Sequence, residues 1–174
     1  MEVKPYLCHM MDFNPDNIIF TREGESKFTL LSHKHKGKEI PILLNFRTKS
    51  LGIDKIDTKK SNCKINSMQI PNCKFKGIDE KIKDYCQKNE ISNGKRYLSV
   101  LYRDKYMSPK VWLDTNNKVY LFDKDGNQMY HNQTLDVIKR DVEFDVILEL
   151  SSIWSMDDAK MFGVASRVRQ IKLA

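Results

Sequence analysis

Long apolar runs are missing from this 174-residue chain. No stretch approaches the roughly 18–20 apolar residues of a membrane-spanning helix, so no membrane partner is expected. No apolar segment of the kind found in secretory signals follows Met1. Glycine and proline are few, at 7 and 5 residues, and no low-complexity tract occurs. Cysteine is limited to Cys8, Cys63, Cys73 and Cys86, with no CxxC pair. The expected setting is therefore the reducing cytoplasm, with the thiols free. His9, His33, His35 and His131 lack the spacing of a zinc finger or ribbon, so no metal is expected. A glycine-rich phosphate loop, GxSxG and HExxH are all absent. Asp123-Lys124-Asp125-Gly126-Asn127 starts like a calcium loop but lacks the downstream glutamate, and reads as a hairpin turn. The sequence thus predicts no catalytic residue, no cofactor and no enzyme.

Charge is what the chain has, and it is unevenly placed. Thirty lysines and arginines face 23 acids, for a formal +7. Residues 27–76 hold 12 bases against 3 acids, a local +9, and the rest of the chain is −2. A concentrated positive field suits a polyanion, nucleic acid first and an anionic surface second. The competing reading is a solvated lysine-rich face.

The last third carries the clearest regularity. Phe144, Val146, Leu148 and Leu150 recur at every second residue, and Phe162, Val164 and Val168 follow the same phase. Period two predicts strands with one buried face. The polar stretch Ser155–Lys160 joins them into a long antiparallel hairpin. Its other face sets Glu143, Asp145 and Glu149 against Arg167 and Arg169.

Upstream, Ile18–Thr21, Phe28–Ser32, Ile40–Phe46, Asn62–Ile70, Tyr97–Tyr102, Met107–Asp114 and Val119–Phe122 read as strands. The basic segment His33–Glu39 reads as a hairpin connector. Pro41 suggests an edge or a bulge. Arg47–Lys60 reads as a polar loop. Gly77–Ile91 is the one helix, with Ile78, Ile82, Tyr85 and Cys86 on its apolar stripe. Asp79 and Glu80 would face the positive end of its dipole and Lys88 the negative end. The expected fold is mainly β: an OB-like, partly open barrel of about five to eight short antiparallel strands with one inserted helix. One domain over 1–174 is the default, with 1–26 as a candidate extension.

Single-strand binders combine cations that track phosphates with flat rings that accept bases. On that basis Lys34, Lys36, Lys38, Arg47, Lys49, Lys59, Lys60 and Lys64 are the candidate phosphate contacts. Tyr102 and Tyr106 are stacking candidates, with Arg103, Lys105, Arg167 and Arg169 extending the groove. Trp112, Tyr120, Phe122 and Trp154 read as core, and Trp112 is also carried as a third stacking candidate. The helix is close to neutral, which argues against insertion into a duplex groove.

The order of short motifs in residues 75–173 resembles a known family. A lone helix leads to Pro109-Lys110-Val111-Trp112, then Val119-Tyr120-Leu121-Phe122. Ser152-Ile153-Trp154, Phe162-Gly163-Val164 and Gln170-Ile171-Lys172 close the chain. This series is similar to the single-stranded-DNA-binding proteins of large cytoplasmic DNA viruses and related cytoplasmic linear DNA plasmids. The resemblance implies an OB-fold protein that coats single-stranded DNA during cytoplasmic replication, without sequence preference. It implies structural roles for Trp154 and Gly163. RNA, replication proteins and a second copy of the chain stay open as partners. The rival expectation is a β-rich viral structural or interaction protein that meets an acidic protein or anionic lipid.

Overall fold

The computed structural model describes residues 8–9, 12–26, 28–60, 62–65, 68–69, 74–99, 106–107, 109–113 and 119–174. Its spine is the C-terminal hairpin, β13 (Glu143–Met156) and β14 (Met161–Leu173). Phe144, Val146, Leu148 and Leu150 are all fully buried, so the period-two reading holds for β13. The turn is shorter than expected, and Lys160 takes a left-handed φ of 49° in it.

Two bulges shift the hairpin register. On β13 the buried positions step from Leu150 to Ile153, and Ser151 is the extra residue. On β14 they step from Val168 to Ile171, and Arg169 is extra. Each bulge keeps apolar side chains inward where strict alternation would turn them out. Val164, expected in the core, is half-buried and packs against it.

The bulge at Ser151 is also where β13 changes partner. Before it, Glu143–Leu150 pairs with β4 (Lys38–Lys49); after it, Ser152–Trp154 pairs with β3 (Phe28–His35). Pro41 marks the matching change on β4. It is opposite Ser32 of β3, and the next residue, Ile42, is opposite Leu150 of β13. The β3–β4 hairpin turns on Lys36 and Gly37 alone, with φ of 46° and 79°. Two successive positive φ values fit the twist of a tight hairpin. His33 to His35 and Lys38 to Glu39 are therefore strand, not connector.

The other edge of β14 is filled piecewise, in parallel, by β8 (Arg96–Leu98), β10 (Lys110–Trp112) and β11 (Tyr120–Phe122). Beyond β10 come β6 (Asn62–Ile65) and the outermost β5 (Ile53–Asp57). The strand continues through Lys49, and β5 forms, where a loop was expected. Both segments are polar edges whose pairing partners local alternation does not reveal. β1 (Cys8–His9), β2 (Ile18–Thr21) and β12 (Gln128–Met129) add short edges, and β7 (Met68–Gln69) pairs β9 (Tyr106–Met107) separately. The chain is thus mainly β in one open sheet, agreeing with an OB-like, partly open barrel. Fourteen strands form among the described residues, more than expected, because seven are two- or three-residue pieces, three of them laid along β14. Four of the pairings are parallel, which an all-antiparallel expectation missed.

Helix α1 (Lys74–Lys88) covers the inner face, with Phe75, Ile78, Ile82 and Cys86 fully buried. Phe75 extends the apolar stripe one turn upstream of the expected start. Glu90 ends the helix, at φ 58°, with Ile91 N–H donating to the Cys86 carbonyl at 2.9 Å and Glu90 N–H to Gln87 at 3.3 Å. That is a Schellman closure without glycine. Asp79 consequently lies in the second turn, away from the helix start. It is buried, and its carboxylate accepts from the Tyr97 hydroxyl at 2.6 Å and from the Ser99 hydroxyl. Burial, and then the Asp79 charge, push the Tyr97 hydroxyl far above the usual phenol range, so it stays a donor. A second helix, α2 (Thr134–Val137), precedes the hairpin. Cys63 and Cys86 are free and buried, and burial pushes each thiol up to about 11. Among the described residues no helix is long and apolar enough to cross a membrane.

Candidate nucleic-acid interface

Three strands distant in sequence bring their cations into one row. Lys64 of β6 is opposite Lys110 of β10, and Lys110 is opposite Arg167 of β14. Their neighbours Cys63, Val111 and Val168 are buried, so the cations project from the outer face. Lys55 of β5 is in turn the register partner of Lys64. Like charges directly opposite each other destabilise a sheet. Such a row makes physical sense where an anion lies over it.

The row opens into a groove of about 580 Å³. Its floor is small: Ser151 and Ser152 on β13, Ala165 and Ser166 on β14. Four small residues on adjacent strands make a depression in an otherwise bulky face. Trp112 stands at the cationic end, with Lys110 Nζ 5.2 Å from its ring centroid. Trp154 and Leu30 stand at the other end. Gly163 allows that placement, because a Cβ there would lie 2.8 Å from Trp154 Cζ2 and 2.9 Å from the Leu98 carbonyl oxygen. The resemblance implied a structural role for Gly163, and this close approach is one. Trp154, expected in the core, is half-buried and lines the groove. Trp112 and Phe122 are also half-buried and Tyr120 is exposed. Their strands present these rings on the outer face, where apolar character alone suggested the interior.

Arg167 is held by Glu149, with hydrogen bonds of 2.9 and 3.3 Å, and Arg169 approaches the same carboxylate at 3.4 Å. The bulge brings both guanidinium groups to one acid, so the cluster keeps a net positive charge. The sequence expected these acids and bases to meet across the hairpin, and for Glu149 they do. Asp145 instead binds Arg47 on β4, at 2.9 and 3.0 Å, which raises the Arg47 pKa.

The other candidates lie apart. Lys49 pairs with Asp141 at 3.1 Å. Lys59 and Lys60 occupy the turn before β6, where Asp57 accepts both of their backbone N–H groups at 3.1 Å. Lys34, Lys36 and Lys38 are exposed around the β3–β4 turn. That turn is about six residues, or about 20 Å, along the strand from Leu30. Tyr102, Arg103 and Lys105 lie outside the described residues. Tyr106 is in β9, off the main sheet, and its side chain is outside the description. The structure thus brings Lys64, Trp112 and Arg167 together, with Arg169 beside them. It adds Lys110 and Trp154, which the sequence reading did not count as contacts. The alternation Lys110-Val111-Trp112 was the available signal: an inward Val111 sends the cation and the ring outward together.

Among the described residues no group of three or more His, Cys, Asp or Glu could hold a metal ion. No protein-family model and no curated protein sequence matches the chain. Among solved structures, the chain is similar to the single-stranded DNA-binding protein from bacteriophage Enc34, C-terminal truncation. The TM-score is 0.38 at 10% identity, covering 91% of this chain and 95% of that one.

Proposed function

We propose that the protein binds single-stranded nucleic acid without sequence preference. The observation that carries this reading is the Lys64–Lys110–Arg167 row opening into a groove edged by Trp112 and Trp154. Phosphates would neutralise the opposed Lys64–Lys110 pair, while Glu149 already offsets part of the Arg167 charge. Unpaired bases would enter the shallow floor against the indoles, each stack contributing about 1–3 kcal/mol. The biological setting we propose is the coating of single-stranded DNA in replication of a cytoplasmic DNA element, as the sequence resemblance implies.

Fluorescence titration with oligo-dT and with blunt duplex, at two salt concentrations, tests the proposal. Quenching of tryptophan emission, a strong preference for the single strand and a steep loss of affinity with salt are expected. Equal binding of duplex counts against it. Saturable binding to anionic vesicles, with none to oligonucleotides, would select the interaction-protein reading instead.

A further inference from the structure

Three half-exposed apolar side chains gather at and beyond the Trp154 end of the groove. Phe28 is 56% exposed and Leu30 54%, and they are opposite Trp154 and Ser152 in the β3–β13 register. Met156, 50% exposed, follows Trp154 by two residues on the same strand. Apolar residues scattered singly on a surface need no explanation, but a contiguous set beside a groove marks a contact. Because β13 lies between β3 and β14, Trp154 leans over Gly163 on one side and leaves Phe28 open on the other.

Charge divides the same surface. The groove's charged lining residues, Lys64, Lys110 and Arg167, are all at the Trp112 end. Leu30, Ser152, Trp154 and Val164, at the far end, carry none. An occupant with an anionic backbone along one side and flat apolar groups along the other fits that division. A single polynucleotide strand has that chemistry.

We infer that Phe28 and Trp154 form a second stacking platform, reached across β13, for unpaired bases of a strand whose phosphates lie on the cation row. The inference rests on the nucleic-acid reading and deepens it. The interface then has two separable halves. One is salt-sensitive, at Lys64 and Lys110; the other is insensitive to salt, at Phe28.

Phe28→Leu and Phe28→Tyr, titrated with oligo-dT at several salt concentrations, test the platform. Leucine keeps apolar bulk without a ring, and tyrosine keeps the ring. Phe28→Leu is expected to weaken binding about tenfold at every salt concentration, leaving the log–log salt slope unchanged. Phe28→Tyr should bind as the unmutated chain does. Unchanged binding by Phe28→Leu, beside a steep salt slope in the unmutated protein, overturns the platform alone. Failure of the unmutated protein to bind any oligonucleotide removes the function and the platform together.

Discussion

Two basic regions of this molecule use the same residue type to different ends. At the β3–β4 turn, Lys34, Lys36 and Lys38 surround a two-residue tip and spread outward. Lys34 is opposite Glu39 and Lys38 opposite His35, so adjacent positions point to different faces. On the β6–β10–β14 sheet, Lys64, Lys110 and Arg167 are aligned on one face, beside two indoles. The first arrangement lets charge escape into solvent. The second concentrates it at a shaped surface, against the electrostatic preference of the unbound sheet. Lysine density along the chain points to the tip; lysine alignment across strands points to the groove.

The largest contrast should come from neutralising each region separately. Lys64→Gln with Lys110→Gln should reduce the log–log salt slope for oligo-dT by about 1.4, at about 0.7 per phosphate lost. Lys34→Gln, Lys36→Gln and Lys38→Gln together should leave that slope nearly intact. An equal fall from the tip triple would erase the distinction. The groove double variant should also be more resistant to urea, by about 0.2–1 kcal/mol, since it relieves an opposed like-charge pair. Greater stability with weaker binding is the signature of a surface shaped for a ligand.

Next in size is the support beneath the groove. The Asp79–Tyr97 bond ties α1 to β8, and β8 covers β14 at Gly163. Asp79→Ala leaves the half-buried Tyr97 hydroxyl without its acceptor, at a cost of about 1–3 kcal/mol. Urea denaturation measures the loss. Binding should weaken with it, because β8 braces the Trp154 end and not the β3–β4 tip.

Trp112→Ala sharpens the comparison within the groove. It should lower oligo-dT affinity by about 1–3 kcal/mol with the salt slope held, while Trp112→Phe recovers part of the loss. A full loss in both would mean that the ring's face is not what is used.

The smallest effect is a pH dependence belonging to the tip hairpin. Burial, and then the neighbouring His35 charge, lower the His33 pKa from 6.5. As pH falls through 6.5, the unfolded chain takes up this proton before the folded chain does. Stability is therefore full above about 6.5 and declines towards acid. Urea melts at pH 7.5 and 5.5 should show the decline, and His33→Gln should flatten it. The groove row has no histidine, so its salt slope should be the same at both values.

Much of the fold was legible in the residues. The β13 phase followed from Phe144, Val146, Leu148 and Leu150 because only one strand face can be buried. The α1 stripe followed from Ile78, Ile82 and Cys86 by the same logic at helical period. Its ends were less legible, since Phe75 and the left-handed Glu90 act through packing and closure. The site was legible only in part. Lys64 and Arg167 stood out by charge, whereas Lys110 sits between Pro109 and Val111 in a segment of little charge. Trp154 was assigned inward, and Trp112 was read as both core and stacking candidate, because apolar character alone does not say which face of a strand is the outer one.

The features legible along the chain are therefore local: strand phase, the helical stripe, the closing hairpin and an excess of positive charge. Each arises from neighbours a few residues apart, whose spacing decides which side chains share a face. Which of the cations lie side by side was set instead by how distant strands pair. Lys64, Lys110 and Arg167 meet through inter-strand register, and register depends on backbone pairing between segments that carry no local record of each other.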